Sequence, residues 1–359
     1  MKTSAVAIGA ALVALFGSAH AQVRIGFMTP QSGPMAVVGQ DQLDGFNLAV
    51  DQLKGKFGGQ TVTVLSEDDQ GKPDIGNQAV RKFIDRDKVQ AIVGLGLSNV
   101  MLASLKPIVD SGIPAISTNA APSVTAGAGC APNFFSIAWQ NEGPAEAAGK
   151  YVNDAGFKRV FLLAPNYQAG KDMFAGFKRY YKPAVLDEVF TTVGQTDYSA
   201  EIAQIQASKP DAVFIFFPGA AGINFVKQFS QAGLNGKLPL FSAFTIDGTS
   251  LPSLRDAANG SITGASWDAS LDVPDSKKFV ADFKAKYKRL PSQFAAAIKA
   301  SGSEFHSIRG KFRFNNNNMP IQDYYVFKVE DGASQNPVRL LSVAMKDHAD
   351  AYASTCAMK

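Results

Sequence analysis

AIVGLGLSNVMLASLKPIVDSGIPAISTNAAPS, residues 91–123, is the stretch on which the fold turns. An apolar run from Ala91 to Leu97 breaks into a turn carrying Gly94, Gly96, Ser98 and Asn99. Val100 to Val109 then has helical spacing, with Leu102, Leu105 and Val109 on one face and Pro107 late in it. A second apolar run, Ile113 to Ser117, opens into Thr118-Asn119-Ala120-Ala121-Pro122-Ser123. Strand, polar turn, helix, strand and polar turn make a βαβ unit. Both turns follow strand carboxyl ends, so they share one edge of a parallel sheet, the edge where open α/β sheets bind ligands. Small residues there let backbone N–H groups approach a ligand, and a helix start behind the turn favours an anion such as a carboxylate. Ser98, Asn99, Asn119, Ala120 and Ala121 are therefore candidate ligand residues, although Ser and Asn also cap helices routinely.

The same alternation runs outward in both directions. Val23–Met28 reads as a strand, 39–53 as a helix, 61–65 as a strand, and Pro73 starts a helix. A second series begins near Asn141, with strands expected at 159–164, 185–192, 212–217, 238–243 and 262–267 and helices between them. Short loops between alternating elements mean mostly parallel sheets flanked by helices, and two series mean two lobes with a cleft between them. Tyr167, in the turn after the 159–164 strand, has the apolar body and polar tip that suit such a cleft.

The first 21 residues are set apart from the fold. Lys2, the apolar run Ala5–Phe16 and the Ala19-His20-Ala21 end read as a cleaved secretory signal peptide, and the run is short for a membrane span. Export to the periplasm, a soluble mature chain and a monomer are expected. A formal charge of +4, spread along the sequence, does not argue for a nucleic-acid partner. Cys130 and Cys356, an even pair in an exported chain, fit one disulfide between the C-terminal tail and a loop of the first half, with two free thiols as the alternative. A metal pair is disfavoured because neither His306 nor His348 has ligand spacing to them. No cofactor is expected: Gly94-x-Gly96-x-x-Asn99 lacks the third glycine of a dinucleotide fingerprint, and Asp68-Asp69 lacks further calcium ligands and reads as a solvated turn. An exported α/β hydrolase would need a G-x-S-x-G elbow, which is absent.

Val23-Arg24-Ile25-Gly26-Phe27, Ser32-Gly33-Pro34, Gly39-Gln40-Asp41, Asp44-Gly45-Phe46, Asp68-Asp69-Gln70-Gly71-Lys72-Pro73, the Val93-Gly94 strand end with Ser98, and Arg309-Gly310-Lys311-Phe312 occur in one order along the chain. In that order they resemble the periplasmic substrate-binding proteins of ABC importers, in the Leu/Ile/Val-binding class. Met319-Pro320-Ile321-Gln322-Asp323-Tyr324 is most similar to members that carry aromatic carboxylates. The resemblance implies a type I binding protein, not an enzyme, with lobe 1 at 22–140 plus 269–322 and lobe 2 at 141–268 plus 323–359. It implies a ligand carboxylate held at Ser98 and at Asn119-Ala120-Ala121, with Tyr167, Gly219, Thr245 and Trp267 contributing from the second lobe. It also implies hinge closure, delivery to permease subunits in the membrane, and a branched-chain amino acid or aromatic acid as ligand. Asp247 is the candidate partner for an amino acid's ammonium. A ligand-sensing module for a receptor shares this fold. The chain departs from the family between Phe294 and Arg309, where Ala295–Ile308 is too short for two helices. The expectation is a missing first-lobe helix, leaving a poorly stable truncated paralogue or a face covered by a dimer partner.

Overall fold

The computed structural model describes residues 22–299, 307–335 and 337–358; the signal-peptide segment and His306 lie outside the described residues. In the first half, β1 (Val23–Thr29) leads to α1 (Ala36–Gln52), the short β2 (Lys56–Phe57), β3 (Gln60–Asp68) and α2 (Pro73–Arg81). The unit that decided the fold follows: β4 (Ala91–Gly94), α3 (Ser98–Ser111), β5 (Ala115–Ser117), α4 (Ser123–Ala126) and β6 (Phe134–Ser136). These strands form one sheet in the order β2-β3-β1-β4-β5-β6, parallel except for β2. Along β1 the side chains alternate between two covered faces. Ile25 and Phe27 pack with Phe46 of α1, while Met28 packs with Val80 of α2 and Val100 and Met101 of α3.

The second half repeats the scheme: α5 (Gly143–Asp154), β7 (Val160–Pro165), α6 (Gln168–Tyr180), β8 (Asp187–Thr191), α7 (Ser199–Ser208), β9 (Ala212–Ile215), α8 (Ala220–Gln231), β10 (Leu240–Ala243), α9 (Leu251–Leu254) and β11 (Ile262–Ala265). Val160, Leu162 and Ala164 of β7 face Phe174 and Phe177 of α6, and Phe161 and Leu163 face Ile202, Ile205, Phe225 and Phe229. A strand buried on both sides reads as an unbroken apolar run, which is why β7 was so plain in the sequence.

α10 (Pro274–Tyr287), whose Phe279 and Phe283 share a core with Leu48 of α1 and with Ala265, Tyr325 and Phe327, and α11 (Gln293–Lys299) follow, and the chain finishes with β12 (Phe312–Phe314), β13 (Pro320–Val329) and β14 (Val338–His348). These last three strands are antiparallel and join the second sheet, ordered β12-β13-β11-β10-β9-β7-β8 with β14 on β13. The β12–β13 turn reaches back to the first lobe: Asn318 O accepts from Ser136 N at 3.1 Å, and Asn317 Nδ2 donates to Ala126 O at 2.8 Å.

Helix α11 is the shortened segment. It lies on α1 where Gly45 admits it; a Cβ there would sit 2.5 Å from Ala295 O. Buried Asp41 of α1 caps its start, accepting from Ser292 Oγ at 2.5 Å and Ala295 N at 3.1 Å, and pairs with Arg289. Of the shortened segment Ala295–Ile308, residues 300–306 lie outside the described residues. The tail after β14 crosses back to the first lobe, where Cys356 is bonded to Cys130, 226 positions away. Asp68-Asp69 is not the solvated turn expected: Asp69 is fully buried, and Asp68 Oδ1 accepts from Gln31 N at 2.7 Å, fixing the loop after β1.

Candidate ligand site

The carboxyl ends of the two sheets face each other across the cleft. On the first sheet, β1 lies between β3 and β4, and the chain direction of the crossovers reverses there, so a crevice opens beyond its end. The loop after β4 needs glycine. Gly94 has φ 112°, and a Cβ would lie 2.1 Å from Met28 O. Leu97 is extended, so α3 begins at Ser98. The first amides of α3 have no acceptor within the helix and present the positive end of its dipole to the cleft. Ser98 Oγ accepts from Asn141 Nδ2 at 3.0 Å, which leaves its own proton for a ligand oxygen. Asn119 ties the two turns together, donating Nδ2 to Gly96 O at 2.6 Å.

The network continues across the cleft. Asn141 Nδ2 also donates to Asp172 Oδ2 of α6 at 2.9 Å, and its Oδ1 accepts from Ala121 N at 3.0 Å. Asp172 accepts in addition from Ser123 Oγ at 2.8 Å and Gln168 Nε2 at 2.8 Å. Burial pushes the Asp172 carboxyl above its ordinary range, against the pull of these donors. Ser123, Asp172, Asn141 and Ser98 thus join both lobes at the floor of the cleft.

Above that floor the cleft narrows to a small cavity between the lobes. Aromatic rings wall it. Trp139 meets Phe244 at 4.8 Å and Phe294 at 5.9 Å between ring centroids, and Phe216 stands 6.1 Å from both Phe244 and Tyr167. Met35, Leu97 and Met173 complete the apolar lining. Polar groups come from Ser98, Asn119, Asn141 and Tyr167, and no Asp, Glu, Lys or Arg lines the cavity among the described residues. Burial, with the Asp172 charge added, raises the Tyr167 phenol, so it stays protonated as a donor.

A family model, described as a periplasmic binding protein, matches residues 22–305, most of the chain. The chain belongs to that family. Among relatives of this binding protein, the Leu/Ile/Val-binding protein BraC3 of Rhizobium johnstonii is 28% identical over 288 residues, covering 77% of this chain and 75% of the relative. A Leu/Ile/Val-binding protein homolog 6 of Brucella melitensis is 28% identical over 268 residues, covering 72% and 67%. An ABC-transporter solute-binding protein from R. palustris, solved in complex with benzoate, superposes with a TM-score of 0.85 at 27% identity, covering 92% of this chain and 98% of that one. The two-lobed fold read from the sequence is that of these structures.

Within this binding protein, Ser98, Asn119, Ala120 and Tyr167 line the cavity. Ala121 does not; its N–H is taken by Asn141. Asn99 faces a neighbouring cavity. Thr245 Oγ1 accepts from Phe217 N at 2.8 Å and so pins the end of β9 rather than facing the cleft. Asp247 is turned into its own loop, accepting from Thr249 N at 2.7 Å. Trp267 packs on Phe279 in a separate core and donates Nε1 to Ser276 Oγ at 2.9 Å. Gly219 is where the lobes touch: with φ 67°, a Cβ there would sit 2.7 Å from Pro34 O. Sequence reasoning missed Trp139, Asn141, Met173, Phe216, Phe244 and Phe294 as lining residues. The available signal was aromatic residues just past strand ends, at 139, 216 and 244.

Proposed function

We propose that this protein is the exported solute-binding component of an ABC importer and that its ligand is an aromatic carboxylate without an amino group. The observation that carries this reading is the cavity wall: a box of aromatic rings with no acidic side chain among the described residues. A ring fills it by apolar burial and edge or stacked contacts. A carboxylate at the start of α3 meets helix amides and the Ser98 hydroxyl, which suits an anion without a buried cation opposite. An α-ammonium would lose its hydration and meet no acidic side chain among the described lining residues, a cost that disfavours leucine, isoleucine and valine. The carboxyl beneath the floor, Asp172, is already engaged by Asn141, Ser123 and Gln168. The benzoate complex of the R. palustris structure supports the same chemistry. Binding rests on closure of the lobes about their hinge, and the closed form is the one presented to the permease. In this reading the ligand is handed on unchanged.

Isothermal titration of the chain from Gln22 with benzoate, 4-hydroxybenzoate, leucine and isoleucine tests this. An aromatic acid is expected to bind and the amino acids are not. Ser98→Ala removes a charge-assisted hydrogen bond, worth about 1.5–3 kcal/mol, and weakens benzoate binding roughly 10- to 150-fold. Tight leucine binding with none of benzoate overturns the reading.

A further inference from the structure

Among the described residues no cation lines the aromatic box, yet one stands directly behind its wall. Arg309 is buried, and its two Nη groups donate to the carbonyls of Ile137 and Ala138. The second of these carbonyls belongs to the peptide that joins Ala138 to Trp139, whose indole walls the box. Gln322 shares that acceptor, donating Nε2 to Ala138 O at 2.8 Å. The guanidinium lies 4.9 Å from the centroid of the Phe312 ring, and its Nε has no hydrogen-bond partner. Among the described residues no carboxylate pairs with it. The titratable groups that face it are the phenols of Tyr324 and Tyr325; burial raises both, so they stay protonated and neutral. Burial pulls the guanidinium itself down to about 10, which leaves it charged at neutral pH. A buried cation without a counter-ion is costly to a fold. A neutral amide also satisfies a carbonyl, so the carbonyl contacts account for the donors of Arg309 but not for its charge.

We propose that Arg309 is the counter-charge of the bound carboxylate, acting through the wall of the box rather than by contact, and that it selects anionic ligands over neutral ones of the same shape. The inference rests on the reading that a carboxylate occupies this cavity, and it names the residue that sets the charge preference. From the Ala138 carbonyl across the indole to the ligand is on the order of 10 Å. At that range, with an effective dielectric constant of about 20, a unit charge changes the affinity for an anion by about 10- to 20-fold. It leaves a neutral ligand unaffected. In so small a cavity the effect does not depend on which end of the box the carboxylate takes.

The test compares benzoate with benzamide, its neutral counterpart of the same shape, by isothermal titration of the chain from Gln22. Arg309→Gln should lose about 10- to 20-fold in benzoate affinity and less than about twofold in benzamide affinity. Arg309→Lys keeps the charge and should restore benzoate affinity to within about threefold of the parent. Gln322→Glu covers the case in which Arg309→Gln does not fold. It sets a carboxylate beside the guanidinium at the carbonyl the two side chains share, cancelling the charge with Arg309 still in place, and should bring the same selective loss of benzoate. Equal losses for both ligands, or no recovery with lysine, make Arg309 a structural clamp on the 137–139 segment and overturn the proposal. Benzoate affinity unchanged in Arg309→Gln and in Gln322→Glu overturns it as well. Benzoate that fails to bind the parent refutes the carboxylate reading beneath it instead.

Discussion

The bond between Cys130 and Cys356 carries the largest single stability effect expected of this fold. It closes a loop of 226 positions, nearly the whole distance between the first sheet and the C-terminus. Chain-entropy loss in the unfolded state grows with the logarithm of loop length, and for this loop it comes to about 5 kcal/mol at 25 °C. Unfolding entropy near 60 °C is about 2.1 cal/mol/K per residue, or about 0.7 kcal/mol/K for a chain of this length. Replacing both cysteines with alanine should therefore lower Tm by about 7 °C. The tail has other attachments that remain. Asn317 Nδ2 donates to Asp350 at 3.1 Å, and Tyr352 Oη donates to buried Glu142 at 2.5 Å, so the variant should still fold. The assay is a thermal melt of C130A/C356A beside the oxidised parent, with the reduced parent as a third sample. A Tm within 1 °C of the parent, at full reversibility, refutes the argument. It would mean either that the unfolded chain is already compact or that the tail detaches before the lobes melt.

Two further predictions follow from the same geometry. Gly219→Ala places a Cβ against Pro34 O and forces a left-handed φ on an L residue, so stability should drop by about 1–3 kcal/mol. The lobes should then fail to close: small-angle scattering should show no compaction on adding ligand, and compaction equal to the parent's would count against it. The second concerns pH. Burial lifts the carboxyls of both Asp69 and Asp247 to about 6, above their unfolded 3.8. A group with a raised folded pKa gives stability that is complete below the unfolded value and is lost as pH climbs through the folded one. Tm should therefore fall between pH 4 and pH 7, and Asp69→Asn with Asp247→Asn should flatten that slope; a parent Tm that rises across the window contradicts it.

The fold was legible because its strands are covered on both faces. An interior strand such as β7 has no polar side to confuse the period, and the loops between elements are short. The ends blurred where a strand gives way to a turn built from the same small residues, as at Gly94–Leu97. Strands β2, β6 and β12 were not read at all; each is two or three residues long, too short for a period. At the site, Ser98, Asn119 and Tyr167 were found because a polar residue just beyond a strand end is conspicuous. Phe216, Phe244 and Phe294 were not, because an apolar cavity wall is indistinguishable in sequence from an apolar core. Thr245 and Trp267 look the same in sequence as lining residues; only the direction of the side chain separates them. The link from Asn141 to Ser98 spans 43 positions and from Ser123 to Asp172 spans 49, and no local pattern announces either.

The chain has two tryptophans, and they stand in unlike places. Trp139 is a wall of the aromatic cavity, while Trp267 is enclosed in a core with its indole N–H committed to Ser276. Ligand arriving in the cleft changes the surroundings of one indole and leaves the other as a constant background. The protein thus carries its own optical gauge, in which a change of ultraviolet emission reports occupancy without any dye attached.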